Sequence, residues 1–268
     1  MKNFFNHQDE IKKFNDFSKF WWDKNKKNSP FKILHEINPI RLDFIKKNSK
    51  KFFDLEASPN LNILDIGCGG GILTEELQKI FHNSSIIGID PGFDNIEIAK
   101  KHSDIFLKDS LKKPDYINIK FEDFALNNER INEDKKFDII CAIEVIEHVE
   151  DIYLFLDLIN KLLKKSGLIF ISTINRNIKS YILGIIFAEY ILKFLPKKTH
   201  DWKKFLKPSE IFLYLSTKEK YKIIQINGIE FNSKNFIKSK IFNNKELNQN
   251  FELSNNADVN YILCLQKL

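Results

Sequence analysis

The chain has 268 residues, of which 43% are hydrophobic and 29% charged. That balance suits one large globular α/β domain or two small ones, and it excludes collagen-like, disulfide-stapled and wholly disordered chains. Lys and Arg number 42 against 36 Asp and Glu, a formal charge of +6. Only Arg41, Arg130 and Arg176 are arginines, and the lysines are dispersed among 25 Phe and only 9 Gly. The basic excess therefore reads as the codon bias of an AT-rich genome. No basic stripe marks a nucleic-acid binder, though attraction to an anionic membrane surface stays compatible with the charge.

The opening 55 residues read as amphipathic helix, with Phe14, Phe17, Trp21 and Trp22 at helical spacing and a break at Ser29-Pro30. A second helix is expected after Asn38-Pro39, with proline in its first turn. No secretory h-region or transit peptide is visible in Met1–Phe20. From Asn62 a strand–helix alternation begins. Strands are expected at Asn62–Cys68, Ser85–Asp90, Tyr116–Phe124, Phe137–Ile143 and Gly167–Ile174, with helices at Gly71–Phe81, Asn95–His102 and Ile152–Leu163. Polar stretches at Asp104–Asp115 and Asn127–Lys136 read as exposed loops. Ile178–Leu195 is a strongly apolar helical stretch closed by Pro196, too short to span a bilayer. A helix at Pro208–Leu215 and strands at Lys222–Asn227 and Asn260–Gln266 complete the chain.

Strands alternating with helices imply parallel βαβ units in a doubly wound α/β sheet. The expected organisation is a helical extension over residues 1–55 and one domain over 56–268, with 178–207 as a lid or membrane-contact insertion. Cys68, Cys141 and Cys264 are scattered, with no C-x-x-C pair, so reduced thiols are expected rather than disulfides or zinc.

Leu64-Asp65-Ile66-Gly67-Cys68-Gly69-Gly70-Gly71 ends the first strand and opens a helix. Glycines there let the backbone turn and approach a ligand at the carboxyl edge of the sheet. Asp90 ends the second strand 23 residues after Gly67, placed to grip ribose hydroxyls. A dinucleotide site would want a third glycine at position 72, where Ile72 stands, and Asp65 suits a pyrophosphate poorly. A cationic sulfonium nucleoside, S-adenosylmethionine, suits that carboxylate better.

At this point the chain resembles the class I S-adenosylmethionine methyltransferases. Trp21-Trp22-Asp23, Leu34-His35, Ile37-Asn38-Pro39 with Arg41-Leu42, the glycine loop and Glu144-Val145-Ile146-Glu147-His148 recur in order. Thr173-Ile174-Asn175-Arg176, Ala188-Glu189-Tyr190, Thr199-His200-Asp201 and Lys207-Pro208 follow. Together they resemble the ubiquinone-biosynthesis O-methyltransferase family, over Phe14 to Leu215. The stretch between Asp23 and Leu34 is longer than in the family, and Phe187 and Lys198 replace glycines. The resemblance implies a Rossmann-like seven-stranded sheet and methyl transfer to phenolic hydroxyls of polyprenylated catechols or phenols. It also implies a peripheral enzyme of the cytoplasm bound at the inner membrane (the matrix face in a eukaryote), near other ubiquinone-biosynthesis enzymes. For the donor it implies Arg41 on the methionine carboxylate, Gly67 and Asp90 in the loop and ribose contacts, and the Ile143 backbone against the cofactor.

Glu144, Glu147 and His148 follow the fourth strand at spacings that share one face if the segment is helical. A phenol with a pKa near 10 needs its proton removed or polarised. A divalent cation on the carboxylates would do this as a Lewis acid; alternatively His148 acts as general base. The family's matching residues are associated with magnesium, which makes Glu144, Glu147 and His148 its candidate ligands. Trp21 and Trp22 read as packing residues ahead of a cation–π clamp on the sulfonium, and Asn175-Arg176 and His200-Asp201 as quinone-pocket candidates. Other readings are another small-molecule or lipid methyltransferase, or a non-catalytic adenosylmethionine-binding subunit of a membrane-associated complex.

Overall fold

The structure, a computed structural model, describes residues 17–23, 31–57, 59–127, 136–180, 204–232 and 251–268. The strands are β1 (Asn62–Ile66), β2 (Ser85–Asp90), β3 (Asp115–Asn118), β4 (Phe137–Ile143), β5 (Leu163–Ile174), β6 (Tyr221–Phe231), β7 (Phe251–Ser254) and β8 (Asn260–Lys267). The helices are α1 (Lys32–Ser49), α2 (Ile72–Ile80), α3 (Phe93–Phe106), α4 (Phe121–Asn127), α5 (Ile152–Leu162) and α6 (Pro208–Ser216), with a 3₁₀ turn at Ser18–Phe20.

The strands form one sheet in the order β3-β2-β1-β4-β5-β8-β6-β7. The first five are parallel; β8 runs antiparallel between β5 and β6, and β7 pairs antiparallel with β6. The doubly wound class holds. The count is eight strands rather than the expected seven, because Phe251–Ser254 adds an edge.

The strands alternate between two cores. Leu64, Ile66, Ile140, Ile169 and Leu263 pack with α5 residues such as Phe155 and Ile159. Ile63, Ile139, Phe170 and Ile262 pack on the other face against Ile37, Phe44 and Ile45 of α1 and Leu77 of α2. Both faces are covered, so the central parallel strands β1, β4 and β5 are mainly apolar where they cross the core. The switch in strand order falls between β1 and β4, where the crevice of such sheets opens.

Three expectations are corrected. The third strand stops at Asn118, and Phe121 opens α4. Phe121, Phe124 and Ala125 are buried at helical spacing, which outweighs the alternation of Ile117, Ile119 and Phe121. The second helix starts at Lys32 with Pro39 in its interior, not in its first turn. Proline removes one helical hydrogen bond, but Pro39 lies on the exposed side while buried Ile37, Phe44 and Ile45 hold the helix to the sheet. Within the expected helical opening, residues 18–20 form only a single 3₁₀ turn. Phe14, Ser29-Pro30 and most of the apolar stretch 178–195 lie outside the described residues. Among the described residues no helix is long and apolar enough to cross a membrane. All three cysteines are buried and unpaired as thiols.

Candidate functional site

Gly67, Gly69 and Gly71 have φ of 69°, 53° and 85°, the left-handed region that glycine enters without a Cβ penalty. The amides of Gly67 and Cys68 both donate to the Ile89 carbonyl, at 2.8 and 3.0 Å, lacing the loop to the end of β2. There the Asp90 carboxylate accepts from Gly69 N on Oδ2 (3.1 Å), and from Gly92 N (2.7 Å) and Asn95 Nδ2 (3.1 Å) on Oδ1. A carboxylate has about four lone-pair sites, so Oδ2 keeps an acceptor position. Burial pushes the Asp90 carboxyl above its ordinary pKa despite those donors. Asp65 lies beneath the loop and accepts from Thr74 Oγ1 at 2.6 Å. Its burial, with a smaller contribution from Asp90, raises it to about 7.

Above the loop lies a cavity of about 280 Å³. Arg41, Gly67, Asp90, Ile143, Glu144 and His148 all line it, so the fold brings together six of the seven residues expected at the site. Arg41 reaches it from α1, and its Nη2 donates to Glu144 Oε1 at 2.9 Å. Ser172 Oγ of β5 donates to the same oxygen at 2.6 Å. Arg41 Nε is buried with no hydrogen-bond acceptor among the described residues. A buried orphan donor in a charged side chain is costly unless a ligand completes it. Loop, ribose-type carboxylate and orphan guanidinium donor therefore fit an adenosylmethionine-like ligand.

The acidic cluster differs from expectation. Residues 144–148 form no helix: Glu144 has φ 56° and His148 N closes a turn onto Val145 O at 2.9 Å. The shared face is lost. Glu147 does not line the cavity; it is 6% exposed and accepts from Thr173 Oγ1 at 2.9 Å. Burial, and then Glu144, raise its carboxyl to about 7, against the lowering effect of His148. Among the described residues no three His, Cys, Asp or Glu side chains converge as metal ligands. Glu144 and His148 line the cavity while Glu147 turns away to Thr173, so the three expected magnesium ligands are not brought together as one donor set.

Trp21, Asn95, Ser172 and Thr173 also build the site; the sequence marks Trp21 as a packing residue and Thr173 only as part of the Thr173-Ile174-Asn175-Arg176 motif. Trp21 is indeed buried, stacked on Phe31 with centroids 3.8 Å apart, but it also lines the cavity. Asn95 carries no signal beyond its place in α3. Asn175 donates to Ala257 O at 2.8 Å and Arg176 pairs with Glu210, so both brace the loop after β5 without lining the cavity. His200 and Asp201 lie outside the described residues.

A family model described as "Methyltransferase domain" matches residues 13–253. A ubiquinone biosynthesis O-methyltransferase of Pelagibacter ubique is 40% identical over 257 residues, covering 94% of this chain and 95% of that one. One from Bartonella bacilliformis is 40% identical over 266 residues, covering 97% and 96%. The solved magnesium protoporphyrin IX methyltransferase of Synechocystis, with bound SAM, superposes with a TM-score of 0.61 at 14% identity, covering 100% of both chains. At that identity the likeness speaks to the fold. The sequence matches go further: the chain belongs to the ubiquinone biosynthesis O-methyltransferase family.

Proposed function

We propose that this chain transfers the methyl group of S-adenosylmethionine to a phenolic hydroxyl of a polyprenylated catechol or phenol in ubiquinone biosynthesis. The observation that carries it is one cavity at the β1–β4 seam holding both the glycine loop with Asp90 and the His148 imidazole. When bound, S-adenosylmethionine supplies an electrophilic methyl on a sulfonium that is already a good leaving group. The chain's own residues do the rest. Asp90 Oδ2 accepts from the ribose, Arg41 Nε donates to the methionine carboxylate, and the Ile143 backbone borders the donor. His148 takes the phenolic proton as the oxygen–methyl bond forms and the methyl–sulfur bond breaks. An imidazole nitrogen can accept a proton at neutral pH, which suits that task. Glu144 holds Arg41 in place, and Glu147 anchors the turn that carries His148. Alignment of the two reactants supplies most of the rate.

An isoprenoid tail stays in a bilayer, so the enzyme works peripherally at an anionic membrane surface, on the cytoplasmic side of the inner membrane and beside other enzymes of ubiquinone biosynthesis. The +6 charge supports that reading. The deciding experiment is turnover with methyl-labelled adenosylmethionine and a panel of polyprenyl catechols and phenols, presented in anionic and in neutral vesicles. Label is expected on a phenolic oxygen, faster in anionic vesicles and undiminished by excess chelator. His148→Ala should lose the acidic limb of the pH–rate profile. Absence of transfer to every phenol overturns the function; loss of activity in chelator, restored by Mg²⁺, replaces the base with a metal.

A further inference from the structure

Two tryptophans at the start of the described chain sit on the glycine loop. An ideal Cβ at Gly70 would lie 2.4 Å from Trp21 Cγ, and one at Gly69 2.4 Å from Trp21 Cη2. Both glycines therefore leave room for the indole, and Gly69 in addition takes the left-handed φ of the turn. Trp22 Nε1 donates to Gly70 O at 2.9 Å, and its ring stacks on His102 with centroids 3.4 Å apart. His35 Nε2 meets Trp21 O at 2.7 Å, tying the same segment to α1.

The Trp21 indole also makes a directional contact that packing alone does not require. Its Nε1 donates to Asn95 Oδ1 at 2.8 Å, and Asn95 Nδ2 donates to Asp90 Oδ1 at 3.1 Å. An indole N–H is donor only, and a carboxylate acceptor only. Between those two neighbours the amide has one permitted orientation, oxygen towards Trp21 and nitrogen towards Asp90. Without the indole N–H the amide keeps its nitrogen towards the acceptor-only carboxylate but loses its second anchor, so Asn95 is held less firmly against Asp90 Oδ1. Asn95 and Gly92 N together hold Oδ1. That leaves Oδ2, bonded among the described residues to Gly69 N, to present its remaining acceptor position to the cavity.

We infer that Trp21 and Asn95 are positioning residues for the methyl donor: a Trp21–Asn95–Asp90 relay sets the ribose-binding carboxylate, so that docking of residues 17–23 on the glycine loop completes the donor site. The inference rests on the reading of Asp90 as the ribose carboxylate, and the test separates the two.

Isothermal titration would give dissociation constants for S-adenosylhomocysteine and for its 2′-deoxy and 3′-deoxy analogues with wild type, Asp90→Ala, Trp21→Phe, Asn95→Ala and the Trp21→Phe/Asp90→Ala double variant. Trp21→Phe keeps a ring on the loop and removes the donor; Asn95→Ala breaks the relay from inside α3, should the first variant fold poorly. Each single variant is expected to weaken the ribo-ligand by about tenfold, the scale of one charge-assisted hydrogen bond. Binding of whichever deoxy analogue lacks the contacted hydroxyl should change by less than about threefold, and the double variant should bind no worse than Asp90→Ala. Equal losses for ribo- and deoxy-ligands, or additive losses in the double variant, would reduce Trp21 to packing and overturn the relay. An Asp90→Ala variant that binds the ribo-ligand normally would instead overturn the ribose reading itself.

Discussion

Arg41 is asked to serve two carboxylates with one guanidinium. Nη2 is committed to Glu144, and the buried Nε is left for a ligand. A planar fork can divide itself in this way; a lysine ammonium at the same place cannot. Arg41→Lys is therefore expected to weaken adenosylmethionine binding by about 1–3 kcal/mol with the fold intact. Calorimetry beside a circular dichroism spectrum checks it, and unchanged affinity would remove Arg41 from the donor site. Glu144 illustrates why some of the cluster was not legible. Its φ of 56° is unfavourable for a side chain with a Cβ, and the bonds from Arg41 and Ser172 hold it there. That one dihedral breaks the helical spacing which put Glu144, Glu147 and His148 on a common face. Asp90 and Arg41 were legible because a strand end and a recurring motif fix them locally. The burial of Glu147 against Thr173 depends on a turn and a neighbouring strand distant in sequence.

At the scale of elements, the glycine loop and the 17–23 segment form one unit. Gly70 is not in the left-handed region, so its requirement is steric: any Cβ meets the indole. Gly70→Ala is expected to displace Trp21, lower adenosylmethionine affinity and quicken limited proteolysis around residues 17–23. A variant with unchanged affinity and digestion pattern would show that the indole yields without consequence. The strands of the loop's neighbourhood were readable because buried parallel strands are apolar runs closed by glycine or acid. The β3–α4 junction was not, since Ile117, Ile119 and Phe121 alternate over too short a span to distinguish a strand from the entry to a helix. Pro39 misplaced the start of α1 for a similar reason: local chemistry favours a helix beginning there, and packing of Ile37, Phe44 and Ile45 overrides it.

Across the whole molecule, the alternation of strands and helices made the doubly wound sheet legible, whereas the four-residue edge strand Phe251–Ser254 is too short to carry a pattern of its own. Two carboxyls buried in this fold, Asp65 and Glu147, are raised to about 7. For such groups the folded state binds more protons than the unfolded one between about pH 4 and 7, so stability falls as pH rises through that window. Above about pH 7 the cost is fully present. Asp65→Asn keeps an acceptor for Thr74 and removes the titration. Its melting temperature is expected to gain on wild type as pH rises from 5 to 8; a constant difference in thermal scans would show that Asp65 does not titrate there.

The position of β8 has a consequence for the order in which the molecule can be made. It follows every other described strand in the chain, yet it lies inside the sheet between β5 and β6, with Ile262, Leu263, Cys264 and Leu265 fully buried. During synthesis β5 must therefore wait with an unsatisfied edge until residues 260–267 leave the ribosome, although the strands that build the donor loop are complete long before. An unpaired apolar edge is a template for association with other chains. A nascent chain halted before Asn260 would carry the residues for binding but no closed sheet, and its fate would rest on whatever shields β5 in the interval.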